Sequence, residues 1–217
     1  GKYLIDSSNV FDAIELSGVR TNGGAGVLRS KGSTVLVGGR KRIFNCAFYN
    51  YTGAAISNNA YDNPYWDIFE NQFYGANVTS AIGVALSRNS DCSVIRANSF
   101  LKNKVHLKLD RSGYVLVEDN DFIQFAQGTQ TVRVWITSNL PDSDTAVITG
   151  NKFGNENLST TDYRVAVVAE GGGTYNGDRL PDFSISAFSG VHRIIFTRNR
   201  VAGVPGNGPI IYTKGIG

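Results

Sequence analysis

Methionine is absent from the 217 residues, and cysteine, histidine and tryptophan occur only twice each. No Cys/His cluster has metal-ligand spacing, which argues against a zinc site, and no motif calls for a metal or a cofactor. No apolar run approaches the ~20 residues of a membrane-spanning helix. Charged residues make up 18% of the chain, there is no basic run, and the formal net charge is +3, a poor match to a nucleic-acid-binding module. Long segments of helical periodicity are missing too. What remains is 25 glycines, 10 tyrosines and 12 phenylalanines, the composition of a β-rich chain with many turns.

Within that composition a unit repeats. An Asn or its substitute stands two residues before a Phe or its substitute in Cys46-Ala47-Phe48, Asn71-Gln72-Phe73, Asn98-Ser99-Phe100, Asn120-Asp121-Phe122, Asn151-Lys152-Phe153 and Asn199-Arg200-Val201. The spacing is roughly 22 to 31 residues, and about 48 in the last interval, which means a solenoid with loops added late. An apolar β-run precedes each Asn, as in Trp66 to Phe69 and Tyr114 to Val117. A second run follows, as in Ile82 to Leu86, Val105 to Leu109, Val132 to Ile136 and Val165 to Val168, with residues alternating in type. No Leu-x-x-Leu frame or helix accompanies the unit, so leucine-rich repeats are excluded. Strand, Asn turn, strand, loop is the expected coil.

The pattern apolar-x-x-Asn-x-Phe resembles the right-handed parallel β-helix of pectate lyases, other polysaccharide lyases and bacteriophage tailspikes, over roughly residues 42 to 212. The resemblance implies an all-β, single-stranded parallel β-helix with an asparagine turn ladder and stacked phenylalanines. The Asn suits such a turn because it tolerates the left-handed region and its amide both donates and accepts. About eight coils at ~4.8 Å give a rod roughly 40 Å long. Residues 1–41 read as N-terminal coils or a lead-in segment, and 42–217 as the β-helix. Val10 to Leu16 fits a short amphipathic helix or a strand; Val27-Leu28 and Val35 to Val37 fit a further coil or hairpin. Neither end looks like a cap, so the chain reads as a piece of a longer protein. Cys46 takes a turn-Asn position while Cys92 precedes Asn98 by several residues, so no disulfide joins them.

Superposing the second runs, with alternate residues facing out, gives three outward columns. They are Gly83, His106, Arg133, Ala166; Ala85, Lys108, Trp135, Val168; and Ser87, Asp110, Thr137, Glu170. One face thus gathers His106, Lys108, Arg133 and Trp135 as substrate-binding candidates, with Asp110 and Glu170 as the catalytic pair. A Trp face stacks on a pyranose, cations pair with acidic substituents, and carboxylates serve as acid and base. Asp110 and Glu170, two coils apart, are separated by ~9.5 Å, near the upper limit for an inverting pair. Glu118, Asp119 and Asp121, with Glu70 and Asp67, form a second acidic grouping. Tyr175, in the Gly-rich insertion 171–190, is placed to close over a glycan.

The resemblance implies a tailspike or tail-fibre receptor-binding domain in the phage virion, a homotrimer that recognises a bacterial surface polysaccharide and, as a glycoside hydrolase or lyase, depolymerises it. The calcium-binding Asp clusters of pectate lyases have no counterpart here. A secreted bacterial polysaccharide lyase, hydrolase or epimerase is the alternative; a structural β-helix without a ligand site is another. Nucleic-acid binding and membrane insertion are not expected.

Overall fold

The computed structural model describes residues 2–7, 13–30, 39–59, 64–78, 80–87, 90–110, 114–124, 131–138, 144–155, 164–171, 192–201 and 211–214. Every regular element among them is a strand. Sheet A holds eight strands: Tyr3–Ser7, Gly26–Ser30, Ala54–Asn58, Ile82–Ser87, Val105–Asp110, Thr131–Ser138, Arg164–Gly171 and Ile211–Lys214. Sheet B holds seven: Ile14–Ser17, Lys41–Phe44, Trp66–Phe69, Val94–Arg96, Val115–Glu118, Asp144–Thr149 and His192–Thr197. Sheet C also holds seven: Arg20–Asn22, Ala47–Tyr51, Gln72–Gly75, Ser99–Leu101, Asp121–Gln124, Lys152–Asn155 and Arg200–Val201. The chain passes through B, C and A in turn, and each strand pairs in parallel with its equivalent one coil later. The fold is a parallel β-helix.

Two expectations are corrected here. Each coil carries three strands rather than two, because the Asn-x-Phe segment is itself a strand of sheet C. The bend that separates it from sheet B is a single left-handed residue, and that residue is the one before the Asn: Asn45 (φ 52), Glu70 (57), Ala97 (53), Asp119 (52), Gly150 (69) and Arg198 (54). The Asn is therefore used for its amide and not for its backbone tolerance.

Asn71, Asn98, Asn120 and Asn151 are buried. Asn71 Nδ2 donates to Asn98 Oδ1, Asn98 Nδ2 to Asn120 Oδ1, Asn120 Nδ2 to Asn151 Oδ1 and Asn151 Nδ2 to Asn199 Oδ1, all at 3.0 Å. The same oxygens accept the backbone N–H of the preceding Asn in the series at 2.9–3.0 Å. Each Nδ2 also donates to the carbonyl of the coil below, Ile68 for Asn98 and Ile95 for Asn120, at 2.8 Å. A bend buried between two sheets leaves amide and carbonyl groups without strand partners; this relay satisfies them.

Two residues on, the rings stack. Phe73, Phe100, Phe122 and Phe153 are fully buried, with successive centroids 4.9, 5.0 and 5.1 Å apart and ring planes within 20° of parallel. The other inward columns are aliphatic: Leu28, Ile56, Val84 and Leu107 in sheet A; Ile43, Ile68, Ile95, Val117 and Ile148 in sheet B. Burying each such side chain is worth about 1.5–3 kcal/mol. Two inward columns break the pattern: in sheet A the buried Ser30 and Asn58 precede Leu86, and in sheet B a lysine is enclosed. Lys41 lies between Ile14 and Trp66, fully buried, with Nζ donating to Pro64 O at 3.0 Å.

Residues before 42 are built the same way, since Tyr3–Ser7, Ile14–Ser17 and Gly26–Ser30 pair within the same sheets. Of the helix-or-strand segment, residues 14–16 are strand; 10–12, like Val35 to Val37, lie outside the described residues.

Cys46 occupies the Asn position of its coil. Its N–H donates to Asn71 Oδ1 at 3.0 Å, while its thiol, whose pKa burial pushes up, donates to Phe44 O at 3.2 Å and to Leu16 O at 3.6 Å. It has no amide oxygen to offer Val19. Cys46→Asn is expected to extend the relay and raise the unfolding free energy by about 1 kcal/mol, checked by urea denaturation.

Candidate functional site

The register of sheet A sets two of its columns. Asp6, Arg29, Ser57, Ala85, Lys108, Trp135, Val168 and Tyr212 follow one another in pairing order. Ser87, Asp110, Thr137, Glu170 and Lys214 form the next column. Lys108 and Trp135 are therefore direct cross-strand neighbours, and Asp110 and Glu170 stand two strands apart in one line. Asp110 is half-buried. The side chains of Arg133, Trp135 and Glu170, and the whole of Tyr175, lie outside the described residues.

The column expected to carry His106 outward does not face solvent. His106 is fully buried, its ring 6.0 Å from Phe100 and 6.1 Å from Phe122, with Asn103 Nδ2 donating to Nδ1 at 3.2 Å. The strand begins where the chain turns the corner out of sheet C, so its first residues splay into the interior. Coil neighbours agree: Ala55 is fully buried, and a Cβ on Gly83 would meet Phe100 Cδ1 at 2.7 Å. Around the corner a buried polar group forms, in which Tyr51 OH donates to Asn103 Oδ1 at 2.5 Å and Asn103 Nδ2 reaches Phe73 O at 3.0 Å. Burial holds the Tyr51 hydroxyl well above its ordinary pKa. Lys108, with 8% of its surface exposed, is a covered rather than a free cation. The set of residues expected to face outward on sheet A thus loses His106 outright.

The second acidic grouping is split by the turn. Asp67 points out from sheet B between Arg42 Nε at 3.8 Å and Arg96 Nε at 3.9 Å, and Arg42 also pairs with Glu15 at 3.1 Å. Asp121 projects from sheet C toward Lys152 Nζ at 3.5 Å, while Glu70 and Asp119 are the exposed left-handed turn residues. Among the described residues no three His, Cys, Asp or Glu side chains gather as a metal site.

Two surface features were not read from the sequence. On sheet B, Phe44 and Phe69 stack with centroids 5.0 Å apart and planes 1° from parallel, with Arg96 4.4 Å above Phe69 and Arg42 5.1 Å from Phe44. The arginines shield this pair, and Glu15, Arg42 and Asp67 alternate in sign along the column beside it. The other feature precedes sheet B. Tyr65 (φ 64), Cys92 (φ 53) and Tyr114 (φ 55) occupy one left-handed position in three successive coils, and all are exposed, the tyrosines by 43% and 70%. A tyrosine directly before an apolar run was the available signal. Compared with protein-family models, curated proteins and solved structures, the chain matches none of them.

Proposed function

We propose that this chain is the receptor-binding part of a tailspike or tail fibre: a right-handed β-helix of about eight coils, organised by an asparagine ladder, that assembles as a homotrimer and holds a bacterial surface polysaccharide along the rod. The observation that supports the reading is the sheet A register, which lines Asp110 up with Glu170 and places Trp135 in the column beside them. An extended polymer suits a row that repeats every ~4.8 Å along one axis. In the catalytic form of the proposal, one carboxyl of the Asp110–Glu170 pair protonates the leaving glycosidic oxygen while the other activates water on the opposite face of the sugar. Two strand spacings, about 9.5 Å, leave room for that water.

The test combines light scattering with incubation of the protein against purified capsular and lipopolysaccharide glycans. A trimer that binds one glycan is expected. If that glycan is also shortened, Asp110→Asn and Glu170→Gln are each expected to lower kcat by at least about a hundredfold, with inverted product stereochemistry by NMR. A protein that binds no glycan in any oligomeric state would leave a structural rod instead.

A further inference from the structure

Three columns of left-handed residues run along the rod, one at each bend of the coil. The first, before the relay, holds Asn45, Glu70, Ala97, Asp119, Gly150 and Arg198, and the second, at or just after the sheet C strands, holds Asn50, Asn77 and Lys102; neither carries an aromatic ring. The third, before sheet B, uses Tyr65, Cys92 and Tyr114. Bulky side chains at positive φ are disfavoured, and with 43% and 70% of their surface exposed the two tyrosines recover little by packing. The Tyr65 backbone is nevertheless fixed: its N–H donates to Asp91 O at 2.9 Å and its carbonyl accepts from Lys41 N–H at 3.0 Å. Asn or Gly would hold that conformation at lower cost, as Asn45 and Gly150 do in the neighbouring column.

We infer that Tyr65 and Tyr114 form a stacking ledge for a glycan chain lying parallel to the rod axis, outside the sheet A row. This rests on the polysaccharide reading and deepens it. The two ring-bearing positions are two coils apart, about 9.5 Å along the axis, with the small Cys92 between them. Sugars stacked on both rings therefore leave the intervening unit over Cys92. Arg40, exposed and one coil before Tyr65, extends the line with a cation suited to an acidic substituent. A second protein is the poorer occupant. Two tyrosines and a cysteine in single file offer far less than the ~800 Å² per partner of a stable protein interface, whereas a polymer one sugar wide needs no more. The ledge also borders sheet A, since Tyr114 follows Asp110 by only four residues.

The experiment uses the whole chain on an array of purified bacterial capsular and O-antigen polysaccharides, with dextran as reference. It compares wild type, the double variant Tyr65→Asn/Tyr114→Asn, and the double variant Tyr65→Phe/Tyr114→Phe. The Asn variant is expected to melt about 2–4 °C higher per site, because Asn accepts positive φ, yet to bind at least tenfold more weakly. The Phe variant is expected to retain most of the affinity. Alkylation of Cys92 by iodoacetamide, read against the buried Cys46, is expected to slow severalfold when the captured polysaccharide is present. Binding that survives in the Asn variant with Cys92 unprotected would overturn the ledge and leave the sheet A reading standing. A wild type that binds nothing on the array would overturn both. An Asn variant that is less stable would remove the premise that the tyrosines serve something other than folding.

Discussion

Asn120→Asp is expected to destabilise the protein by about 4 kcal/mol at neutral pH, and by much less at pH 4. The replaced amide nitrogen donates to Ile95 O at 2.8 Å and to Asn151 Oδ1 at 3.0 Å. A carboxylate would put an acceptor against both, inside a bend where Asn120 is buried from solvent. Its other oxygen keeps the bonds from Asn98 N–H and Nδ2, so the loss is confined to the donor side. The pH dependence follows from the same geometry. Burial and the two facing acceptors favour the protonated acid, raising the folded-state pKa above the unfolded value near 3.9. The folded state then holds a proton that the unfolded chain has released, so stability falls as pH rises from about 4. Urea unfolding of the variant at pH 4 and pH 7, against wild type at both, measures the difference; equal losses at the two values would show that the amide donor is not what matters.

Phe122→Ala is expected to cost about 4 kcal/mol by a different route. The ring is fully buried between Phe100 and Phe153, at 5.0 and 5.1 Å, with His106 at 6.1 Å beside it. Flat strands on either side cannot close over the space, so the cavity adds to the lost transfer energy. Because a solenoid is held by nearest-neighbour contacts, the damage also lowers coupling between the coils before and after residue 122. Two unfolding steps in place of one in calorimetry are the expected sign. Phe44→Ala, which removes a half-exposed ring on the outside of sheet B, is the control, with an expected loss under about 1.5 kcal/mol.

The same contrast between inside and outside explains which parts of the molecule were legible from residues alone. Asn71, Asn98, Asn120, Asn151 and the phenylalanines two residues on each announce a bend and a core ring, and the register of sheet A follows the aligned runs residue for residue from Ile82 to Ser87 onward. Sheet C was hidden because strands as short as Ser99–Leu101 and Gln72–Gly75 have no room to show alternation. His106 was misplaced for a related reason. Strict alternation holds along a straight strand, and residue 106 lies where the strand leaves a corner. Tyr65 and Tyr114 were overlooked because an exposed aromatic before an apolar run looks like the start of that run; only its backbone angle sets it apart.

By itself the sequence determined that this chain is a β-helix, since the spacing of Asn, Phe and apolar runs can be buried only by stacking coil on coil. It also determined which strands are neighbours, because a shift by one residue would turn every aliphatic column outward. The tertiary structure alone decided which side of a corner a residue faces, whether a surface charge is free or held by a partner, and which bends carry strain. Those depend on φ at single residues and on side chains from coils about 25 positions away, and neither is written in the local pattern.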